Sequence, residues 1–419
     1  MDYLKNIIEK LKGKKNVFLT GGAGVGKTTM TKNIIKQYED DAKKVAKLAS
    51  TGMAATLING QTLHSFLDLG IANDLKDLEQ RGKFEISKKV KKLIQSMDLI
   101  VIDEISMVSD TLLDMIALRL KQADFKGSVL VVGDFLQLPP VVRGNSEVRF
   151  AFESAAWENF YFEIAELTHI YRTDDKDFIE LLSNIRNGFV DQYIHNALNE
   201  FIKPLSENLS EFTFLFGKNS SASLHNKNQL LHVDKELYVK EAQIVKHLKS
   251  VKDIEIERFM EDARIEKELE LKIGVRVLFS RNSWNYFNGE HGVIINIENN
   301  FVYVQKSDAT VVKLEAVAQS KSVWSEKSVS GKKEIAEEAL FTIYQYPIKL
   351  AYAITIHKSQ GMSIEDLIIE TNEIFAPSQF YVAISRSSNP KRLNLIAPKK
   401  QWREIVFVNQ KAFSFNKDL

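Results

Sequence analysis

The sequence contains no cysteine among its 419 residues. This absence excludes structural disulfides, zinc fingers, iron–sulfur ligation by cysteine and thiol nucleophiles. Proline is also scarce, at seven residues, while hydrophobic residues make up 44% of the chain. Disordered and low-complexity proteins have the opposite composition, so we expect a folded protein.

A charge excess and a long apolar run are absent as well. Basic side chains number 56 and acidic ones 55, so any binding of nucleic acid must use a local basic groove. No apolar stretch approaches the ~20 residues of a membrane span, and residues 1–18 lack the features of a secretory signal. We therefore expect a soluble cytoplasmic protein of roughly two to three domains, with no membrane partner.

The first 170 or so residues alternate between strand and helix patterns. A helix is predicted at residues 27–38. Strands are predicted at residues 16–20, 44–49, 99–102 and 128–132. Apolar runs this continuous are typical of a parallel sheet with helices on both faces. Residues 68–96 are more polar and contain a lysine cluster, so they are interpreted as a small insertion.

A second alternating region follows, and a β-rich segment interrupts it. Its predicted strands lie at residues 212–217, 346–356, 367–370 and 393–397. Residues 272–315 contain several short β-rich runs separated by Asn-Gly and Glu-Asn-Asn turns. Short strands spaced so closely predict a small β-barrel inserted into the second α/β region. The charged stretch 255–272 is predicted to be a helical connection into it.

The strongest local motif is GGAGVGKT at residues 21–28, between a predicted strand and a predicted helix. It fits the phosphate-loop pattern, in which backbone N–H groups surround phosphates at the positive end of a helix. Lys27 is expected to reach the β- and γ-phosphates, and Thr28 to hold Mg²⁺. The expected nucleotide-binding residues of this loop are Gly22, Gly24, Val25, Gly26, Lys27, Thr28 and Thr29.

Two further apolar strands end in polar residues. LIVIDEIS at 99–106 places Asp103, expected to anchor Mg²⁺ through water, beside Glu104, expected to orient or deprotonate the attacking water. VVGDFLQLPPV at 131–141 places Gln137 where a neutral amide senses the γ-phosphate. Together the three blocks predict a RecA-like nucleoside triphosphatase core that hydrolyses its nucleotide with Mg²⁺.

The order of these blocks and of four others carries a family resemblance. Downstream, AITIHKSQG occupies residues 353–361 and YVAISR residues 381–386. In the first half, STGMAATLINGQTLHSF occupies 50–66 and SMVSDTLLDMIALRL occupies 106–120. Over essentially its whole length the chain resembles superfamily 1B DNA helicases of the PIF-type, RecD-related branch.

The resemblance implies an α/β fold of two RecA-like parallel-sheet cores with ATP in the cleft between them. Core 1 is expected to have a strand-separating wedge at about 68–96, and for the lysines at 88–92 a solvated helical face remains an open alternative. Core 2 is expected to have an inserted Src-homology-like β-barrel. The expected limits are 1–171 for core 1, 172–254 and 341–419 for the two parts of core 2, and 255–340 for the barrel.

The resemblance also assigns roles to individual residues. Arg172 and Arg386 are expected to reach the γ-phosphate from core 2, and Gln360 and Gly361 to close the same cleft. The implied contacts to single-stranded DNA are Thr51, Gly52, His64, Phe66, Asn219, Thr355, His357 and Lys358. For His64 a structural histidine and for Phe66 a core position remain open alternatives. In the barrel, Trp284 and Tyr286 are candidates either for DNA contact or for packing.

One family feature is missing. The family usually has a glutamine ahead of the phosphate loop that reads adenine, and residues 1–15 contain none. We therefore expect weakened adenine specificity, or a base that rests on apolar and backbone groups.

The expected function is that of a monomeric ATP-dependent helicase with 5′-to-3′ polarity. It would move on single-stranded DNA and unwind tailed duplex DNA, with quadruplexes as a further candidate substrate. In a bacterium it would be associated with the nucleoid. The alternative is a translocase stimulated by single-stranded DNA that does not unwind by itself. A P-loop regulator that never touches nucleic acid would leave the motifs at 353–361 and 381–386 without a role.

Overall fold

The computed structural model describes residues 2–50, 54–55, 58–141, 147–204, 209–248, 250–263, 265–281, 283–286, 290–329 and 332–419. The chain forms two compact units. The first comprises Met1–Tyr171, Ser322–Ala339 and Gln410–Leu419, and the second comprises Arg172–Lys321 and Leu340–Asn409. The first unit includes segments from outside residues 1–171, so the expected limits of core 1 stay a prediction.

The first unit alternates strands and helices as expected. Its strands are β1 (Val17–Thr20), β2 (Val45–Ala49), β3 (Gln61–Thr62), β4 (Leu99–Asp103), β5 (Ser128–Val132) and β6 (Glu163–Glu166). Its helices are α1 (Asp2–Lys12), α2 (Lys27–Asp40), α3 (Leu63–Phe66), α4 (Leu75–Gln80), α5 (Lys88–Gln95), α6 (Asp110–Ala123), α7 (Ala155–Asn159) and the helix Gln410–Lys417. Short 3₁₀ helices lie at Ile105–Met107 and Ala151–Glu153.

The six strands β1 to β6 form one parallel sheet in the order β3-β2-β4-β5-β1-β6. The central strands β1, β4 and β5 are buried along their whole length, which accounts for their uninterrupted apolar sequences. On one side the sheet packs against Ile34 and Tyr38 of α2 and Leu11 of α1. An aromatic cluster also packs within this unit, where Phe152 and Phe415 stack with ring centroids 4.2 Å apart. The predicted parallel α/β core is confirmed.

The predicted insertion at 68–96 contains α4 and α5. On α5 the apolar residues Val90, Leu93 and Ile94 are buried, and the four lysines are exposed. The fully buried Arg119 of α6 holds this segment through its backbone carbonyls. Its guanidinium donates to the carbonyl of Phe84 at 2.7 Å and to that of Lys83, and also to that of Leu67, just before the segment, at 3.0 Å. The insertion is therefore a packed part of the first unit.

The second unit contains parallel and antiparallel strands. Its strands are β7 (Thr213–Phe216), β8 (Tyr238–Glu241), β9 (Gln243–Lys246), β10 (Glu268–Leu271), β11 (Arg276–Phe279), β12 (His291–Ile297), β13 (Val302–Lys306), β14 (Val311–Leu314), parts of β15 (Val317–Val329) and β16 (Lys332–Gln345), β17 (Ile348–Leu350), β18 (Ala353–Thr355), β19 (Leu367–Ile369) and β20 (Leu393–Leu395). Residues 322–329 of β15 and 332–339 of β16 belong to the first unit. Its helices are α8 (Lys176–Arg186), α9 (Gln192–Glu200), α10 (Asn219–His232), α11 (Asp253–Ala263), α12 (Gln379–Ile384) and α13 (Trp402–Ile405). Its 3₁₀ helices are Leu209–Glu211, Ile356–Ser359, Thr371–Glu373 and Pro390–Arg392.

The parallel sheet of this unit has the order β18-β7-β19-β20 and joins segments from both halves of the predicted core 2. A five-stranded antiparallel sheet, in the order β14-β13-β12-β11-β17, has a core that includes Val277, Phe279, Ile294 and Val304. The described residues thus contain the antiparallel insertion that the sequence predicted. Tyr286 belongs to this core and stacks on Phe279 at 4.4 Å, whereas Trp284 is 92% exposed.

Antiparallel pairing extends beyond the expected limits 255–340. β8 pairs with β10 and β9 pairs with β16 on one side, and β17 pairs with β11 on the other. Short strands such as β8 and β9 have no sequence feature that separates them from strands of the α/β core. The domain limits of core 2 and the barrel therefore stay a prediction.

A half-buried histidine joins the antiparallel sheet to the parallel one. Arg276 of β11 donates to Nδ1 of His291 on β12 at 2.9 Å. His291 Nε2 lies 3.3 Å from Oγ1 of Thr213 on β7, whose hydroxyl donates to the carbonyl of Ala351 at 2.6 Å. This chain of donors requires a neutral imidazole with its proton on Nε2. Burial, and secondly Arg276, lowers the pKa of His291 to about 3.

We predict that this histidine makes the second unit sensitive to acid. In the unfolded chain this histidine has a pKa of ~6.5 and binds a proton below that pH, whereas folded His291 stays neutral down to about pH 3. The free energy of unfolding therefore falls as the pH drops from about 6.5 towards 3. The contribution is up to about 1.4 kcal/mol per pH unit. His291→Asn retains an acceptor for Arg276 but cannot titrate, so its urea midpoint between pH 4 and 7 should vary less than that of the wild type.

The matched control is His232→Asn, which changes an exposed histidine of the same unit. Its pH dependence should follow the wild type. If the urea midpoint of His291→Asn varied with pH as much as that of the wild type, the proposed role of this imidazole would be contradicted.

Candidate nucleotide site and nucleic-acid interface

Strand register in the first unit brings the three predicted motifs to one edge of the sheet. Ile102 of β4 aligns with Val131 of β5, and Val132 of β5 aligns with Leu19 of β1. Because these strands are parallel neighbours, the segments that follow them leave the sheet at the same carboxyl edge. The phosphate loop, the acidic pair and the Gln137 segment are therefore adjacent.

The phosphate loop has the backbone that its glycines predict. Gly24 and Gly26 have φ values of 79° and 88°, and Gly26 caps the start of α2. Gly21 has φ 134°, and a Cβ there would lie 2.2 Å from the carbonyl oxygen of Leu167. Lys27 Nζ donates to the carbonyls of Gly21 at 2.7 Å and Gly22 at 2.8 Å. The lysine is thus held inside the loop, where its ammonium can meet phosphate oxygens.

The acidic pair follows β4. Asp103 is buried, and Oδ1 of its carboxylate accepts the N–H of Glu104 at 2.9 Å. Burial, and secondly the charge of Glu104, raises the pKa of Asp103 to about 7. Glu104 has φ 52° and ψ 49°, a left-handed conformation that is uncommon outside glycine and occurs often at functional sites. Two crowded carboxylates beside the phosphate loop favour a bound cation.

The segment after β5, which contains Gln137, is held by hydrogen bonds to the side chain of Asp134. Asp134 is buried, and its Oδ1 accepts the N–H of Leu136 at 3.1 Å. Gln137 Nε2 donates to Asp134 Oδ2 at 3.3 Å. This bond leaves the amide oxygen as the acceptor that Gln137 can offer to water or to a ligand.

A cavity of about 540 Å³ lies beside the phosphate loop in the first unit. Its walls include Tyr3 of α1, Val25 and Gly26 of the loop, and His169 and Tyr171. The N–H of Tyr171 donates to the carbonyl of Gly24 at 2.9 Å, and the ring of Tyr171 contacts that of His169 with centroids 4.4 Å apart. The sequence motifs did not identify Tyr3, His169 or Tyr171 as site residues. Apart from their aromatic character, no local signal marks them.

The second unit contains the predicted pair of arginines. Arg172 donates to Ser363 Oγ at 3.0 Å and to the carbonyl of Ser385 at 2.6 Å. Arg386 is buried and donates to the carbonyl of Val382 at 2.8 Å and to Ser385 Oγ at 2.9 Å. Burial, and secondly Arg386, lowers the pKa of Arg172. Because the two guanidinium charges repel each other, the pair favours an anionic ligand.

Gln360 and Gly361 follow in the same unit. Gln360 Nε2 is buried and has no hydrogen-bond partner among the described residues. Such a donor is costly to leave unpaired, which is consistent with the predicted role at a phosphate. Gly361 has φ 76°, the left-handed region that glycine tolerates.

The predicted DNA-contacting residues of the second unit lie at the carboxyl edge of its parallel sheet. His357 and Lys358 lie in the 3₁₀ helix Ile356–Ser359, directly after β18, whereas Thr355 is the buried last residue of that strand. Asn219 is exposed at the start of α10. Asn226, two turns further along that helix, has a structural role and pairs with both backbone groups of Ala353, at 2.7 and 2.8 Å.

In the first unit, the residues predicted to contact DNA are Thr51, Gly52, His64 and Phe66. Thr51 and Gly52 lie outside the described residues, as does the Asn288-Gly289 turn of the barrel. Phe66 is 3% exposed, so its assignment as a DNA contact needs correction: the ring is a core residue. His64 is half-buried and hydrogen-bonds the backbone of Ala72, and burial lowers its pKa. These contacts favour the structural alternative for His64.

The residues present fit a nucleoside triphosphate and its magnesium ion. The loop supplies backbone donors and Lys27, and the cavity supplies space beside it. Among the described residues no group of three or more His, Cys, Asp or Glu side chains could hold a metal ion. Mg²⁺ requires no such cage, since one or two protein ligands complete a shell of water and phosphate oxygens. Thr28 and Asp103 are the two protein ligands that the sequence predicts for that set.

These features define a RecA-like P-loop nucleoside triphosphatase with a second parallel-sheet unit. The sequence profile of the PIF1-like helicases matches residues 2–196. The ATP-dependent DNA helicase Pif1 of Campylobacter jejuni is 39% identical over 412 residues, which cover 94% of this chain and 91% of that protein. The chain therefore belongs to the PIF1-like helicase family, as the motif order predicted.

Solved structures agree in fold. The Pif1 of a Bacteroides species in complex with ADP-AlF4 is 27% identical, with a TM-score of 0.83 over 100% of this chain and 96% of that one. A Bacteroides Pif1 in complex with ADP-AlF3 and single-stranded DNA covers the same shares, with 27% identity and a TM-score of 0.66. Among the described helices, none has the length and apolarity to cross a bilayer.

We predict that Gly21→Ala abolishes nucleotide binding. The new Cβ would overlap the backbone carbonyl of Leu167, and φ 134° is strained for any side chain, so the loop must change conformation. Titration with a fluorescent ATP analogue should show at least a hundredfold weaker binding, or about 2.7 kcal/mol.

Gly82→Ala is the control, because Gly82 also has a positive φ, of 66°, but a Cβ there meets nothing within 4 Å. It should bind the analogue like the wild type. Equal affinities in all three proteins would show that the described loop conformation is not required.

Proposed function

We propose that this protein is an ATP-dependent DNA helicase that moves 5′ to 3′ on single-stranded DNA and unwinds tailed duplex DNA. The observation that carries the proposal is the phosphate loop and acidic pair at one sheet edge, in a chain of the PIF1-like helicase family. The single-stranded DNA held by a related Bacteroides Pif1 supports DNA as the substrate. The polarity rests on family resemblance alone.

For hydrolysis, each residue has a proposed task. Backbone N–H groups of residues 22–29 bind the phosphates, with Lys27 on the β- and γ-phosphates. Glu104 orients and deprotonates the attacking water, and Gln137 senses the γ-phosphate. When bound through Thr28 and Asp103, Mg²⁺ neutralises charge on the phosphate oxygens.

Arg172 and Arg386 are proposed to stabilise the charge that develops during phosphoryl transfer. Arginines in this role contribute ~10³–10⁵ in rate in other phosphoryl-transfer enzymes. Their hydrogen bonds to Ser385 and Val382 keep the guanidinium planes oriented. Gln360 and Gly361 are proposed to respond to the same phosphate, which would link the nucleotide state to the conformation of the second unit.

The aromatic cavity of Tyr3, His169 and Tyr171 is the proposed site of the nucleobase. Aromatic walls hold any base by stacking, whereas base selection requires directional hydrogen bonds. Residues 1–15 contain no glutamine, so GTP is expected to support hydrolysis at a rate within about tenfold of ATP.

For DNA, we propose contacts through Asn219, His357 and Lys358, with Thr355 supporting that edge, and through Thr51 and Gly52. Hydroxyls, amides and an ammonium bind phosphates, and a histidine ring stacks on a base. The exposed lysines of α5 fit the wedge role, because they would lie against phosphates of the opened duplex. We further propose a monomer in the cytoplasm, at the nucleoid if the source is bacterial.

We predict that Lys27→Ala abolishes ATP hydrolysis and unwinding. Removing one preorganised cation at the phosphates should lower kcat by a factor of about 10²–10³. The control is Lys36→Ala, which removes an exposed lysine of the same helix that pairs with Asp40. A Lys27→Ala protein that still unwinds DNA with ATP would overturn the assignment.

We predict that single-stranded DNA stimulates steady-state hydrolysis and that only duplex with a 5′ tail is unwound. Parallel assays with 5′-tailed and 3′-tailed fluorescent duplexes check both points. Stimulation without unwinding would indicate the translocase alternative. Unwinding of the 3′-tailed duplex would contradict the proposed polarity, and no stimulation would contradict the DNA contacts.

A further inference from the structure

An exposed aromatic ring lies at the carboxyl edge of the second unit's parallel sheet. Phe375 follows β19 and the 3₁₀ helix Thr371–Glu373, and it is 60% exposed. β19 is separated from β18 by β7 alone, and all three strands are parallel. The segment with Phe375 therefore leaves the sheet at the same edge as His357 and Lys358.

The loop with Phe375 is anchored on both sides. Before it, the carboxylate of Glu373 accepts the N–H of Lys218 at 3.1 Å and the hydroxyl of Ser221. After it, Gln379 Oε1 accepts the N–H groups of Phe375 at 2.8 Å and Ala376 at 3.1 Å. The backbone that carries the ring is thus fixed by side-chain hydrogen bonds.

A close approach of main chains reinforces this anchoring. A Cβ on Gly217, which follows β7, would lie 2.0 Å from the carbonyl oxygen of Glu373. The two loops therefore pack backbone to backbone. Such contacts limit the motion of the loop, so the exposure of Phe375 is a property of the fold.

The ring of Phe375 lies beside that of His357. Their centroids are 6.4 Å apart, and their planes differ by 21°. These two nearly parallel rings at one edge of the sheet form an aromatic platform, which we define as Phe375 and His357. A nucleobase binds such a surface by stacking, independently of its identity, because every base has a π-face.

One exposed phenylalanine is ordinary on a protein surface and by itself indicates no function. Phe189 of the same unit is 54% exposed, for example. Phe375 differs in three respects: its loop is anchored, a second ring lies parallel to it, and a lysine follows that second ring in the chain. Stacking surface and positive charge together are what a single-stranded nucleic acid requires.

We propose that Phe375, together with His357, stacks on a base of single-stranded DNA bound across the second unit. This inference rests on the proposed function, and it adds a DNA-binding residue that the sequence motifs did not identify. The contact is made to a base and not to phosphate. It is therefore insensitive to base sequence and requires that a base be present.

The test measures anisotropy of a labelled oligothymidine with the full-length protein. Phe375→Ala should weaken binding about 5- to 150-fold, the range found for removal of one base-stacking ring. Phe189→Ala is the matched control and should bind like the wild type. An unchanged affinity in Phe375→Ala would overturn the platform.

An oligonucleotide that is abasic along its central stretch separates stacking from other causes. On this strand wild type and Phe375→Ala should bind equally, because the ring has no base to meet. Lys358→Ala, by contrast, should weaken both strands alike, since its target is phosphate. If Phe375→Ala weakens both strands equally, the ring is not a stacking surface and the inference is overturned.

A tryptophan variant provides a second readout that does not depend on lost binding. Phe375→Trp should retain affinity, and its indole fluorescence should be quenched by oligothymidine but not by the abasic strand. Phe189→Trp should show neither change. If the wild type binds neither strand, the proposed function fails with this inference; if it binds both well and Phe375→Trp is not quenched, this inference fails alone.

Discussion

The parallel register of the sheets is the constraint on which both candidate sites depend. Because every strand of the first unit's sheet runs the same way, segments far apart in the chain, at residues 21, 103 and 134, leave the sheet at one edge. The second unit repeats the arrangement with β18, β7 and β19. In both sites, strand pairing places loops from distant parts of the chain side by side.

Much of this arrangement could be predicted because it depends on local chemistry. The phosphate loop requires glycine at positions with positive φ, and an apolar strand that ends in Asp103-Glu104 is typical of a nucleotide site when such a loop precedes it in the chain. The central strands could be predicted for a similar reason, since burial on both faces demands continuous apolar sequence. The edge strand β6 escaped prediction because two of its four residues are glutamates.

What could not be predicted depends on partners distant in sequence. Phe66 and Phe375 are both phenylalanines near motif residues, yet one is a core residue and the other is exposed, and only packing separates them. The neutral state of His291 depends on Arg276, Thr213 and Ala351, which no local pattern connects. The limits of the antiparallel region could not be predicted for the same reason. β8 and β9 belong to this region because they pair with β10 and β16, which follow later in the chain.

The attachment of the insertion at 68–96 determines which amino-acid substitutions this segment can tolerate. Arg119 binds the segment through two main-chain carbonyls, those of Lys83 and Phe84, and every amino acid offers such a carbonyl. Substitutions that keep the backbone path therefore leave these bonds intact, whatever side chain they introduce. The lysines of α5 can be exchanged for other residues while the segment stays docked, so the surface that it presents is free to diverge between relatives faster than the core that holds it.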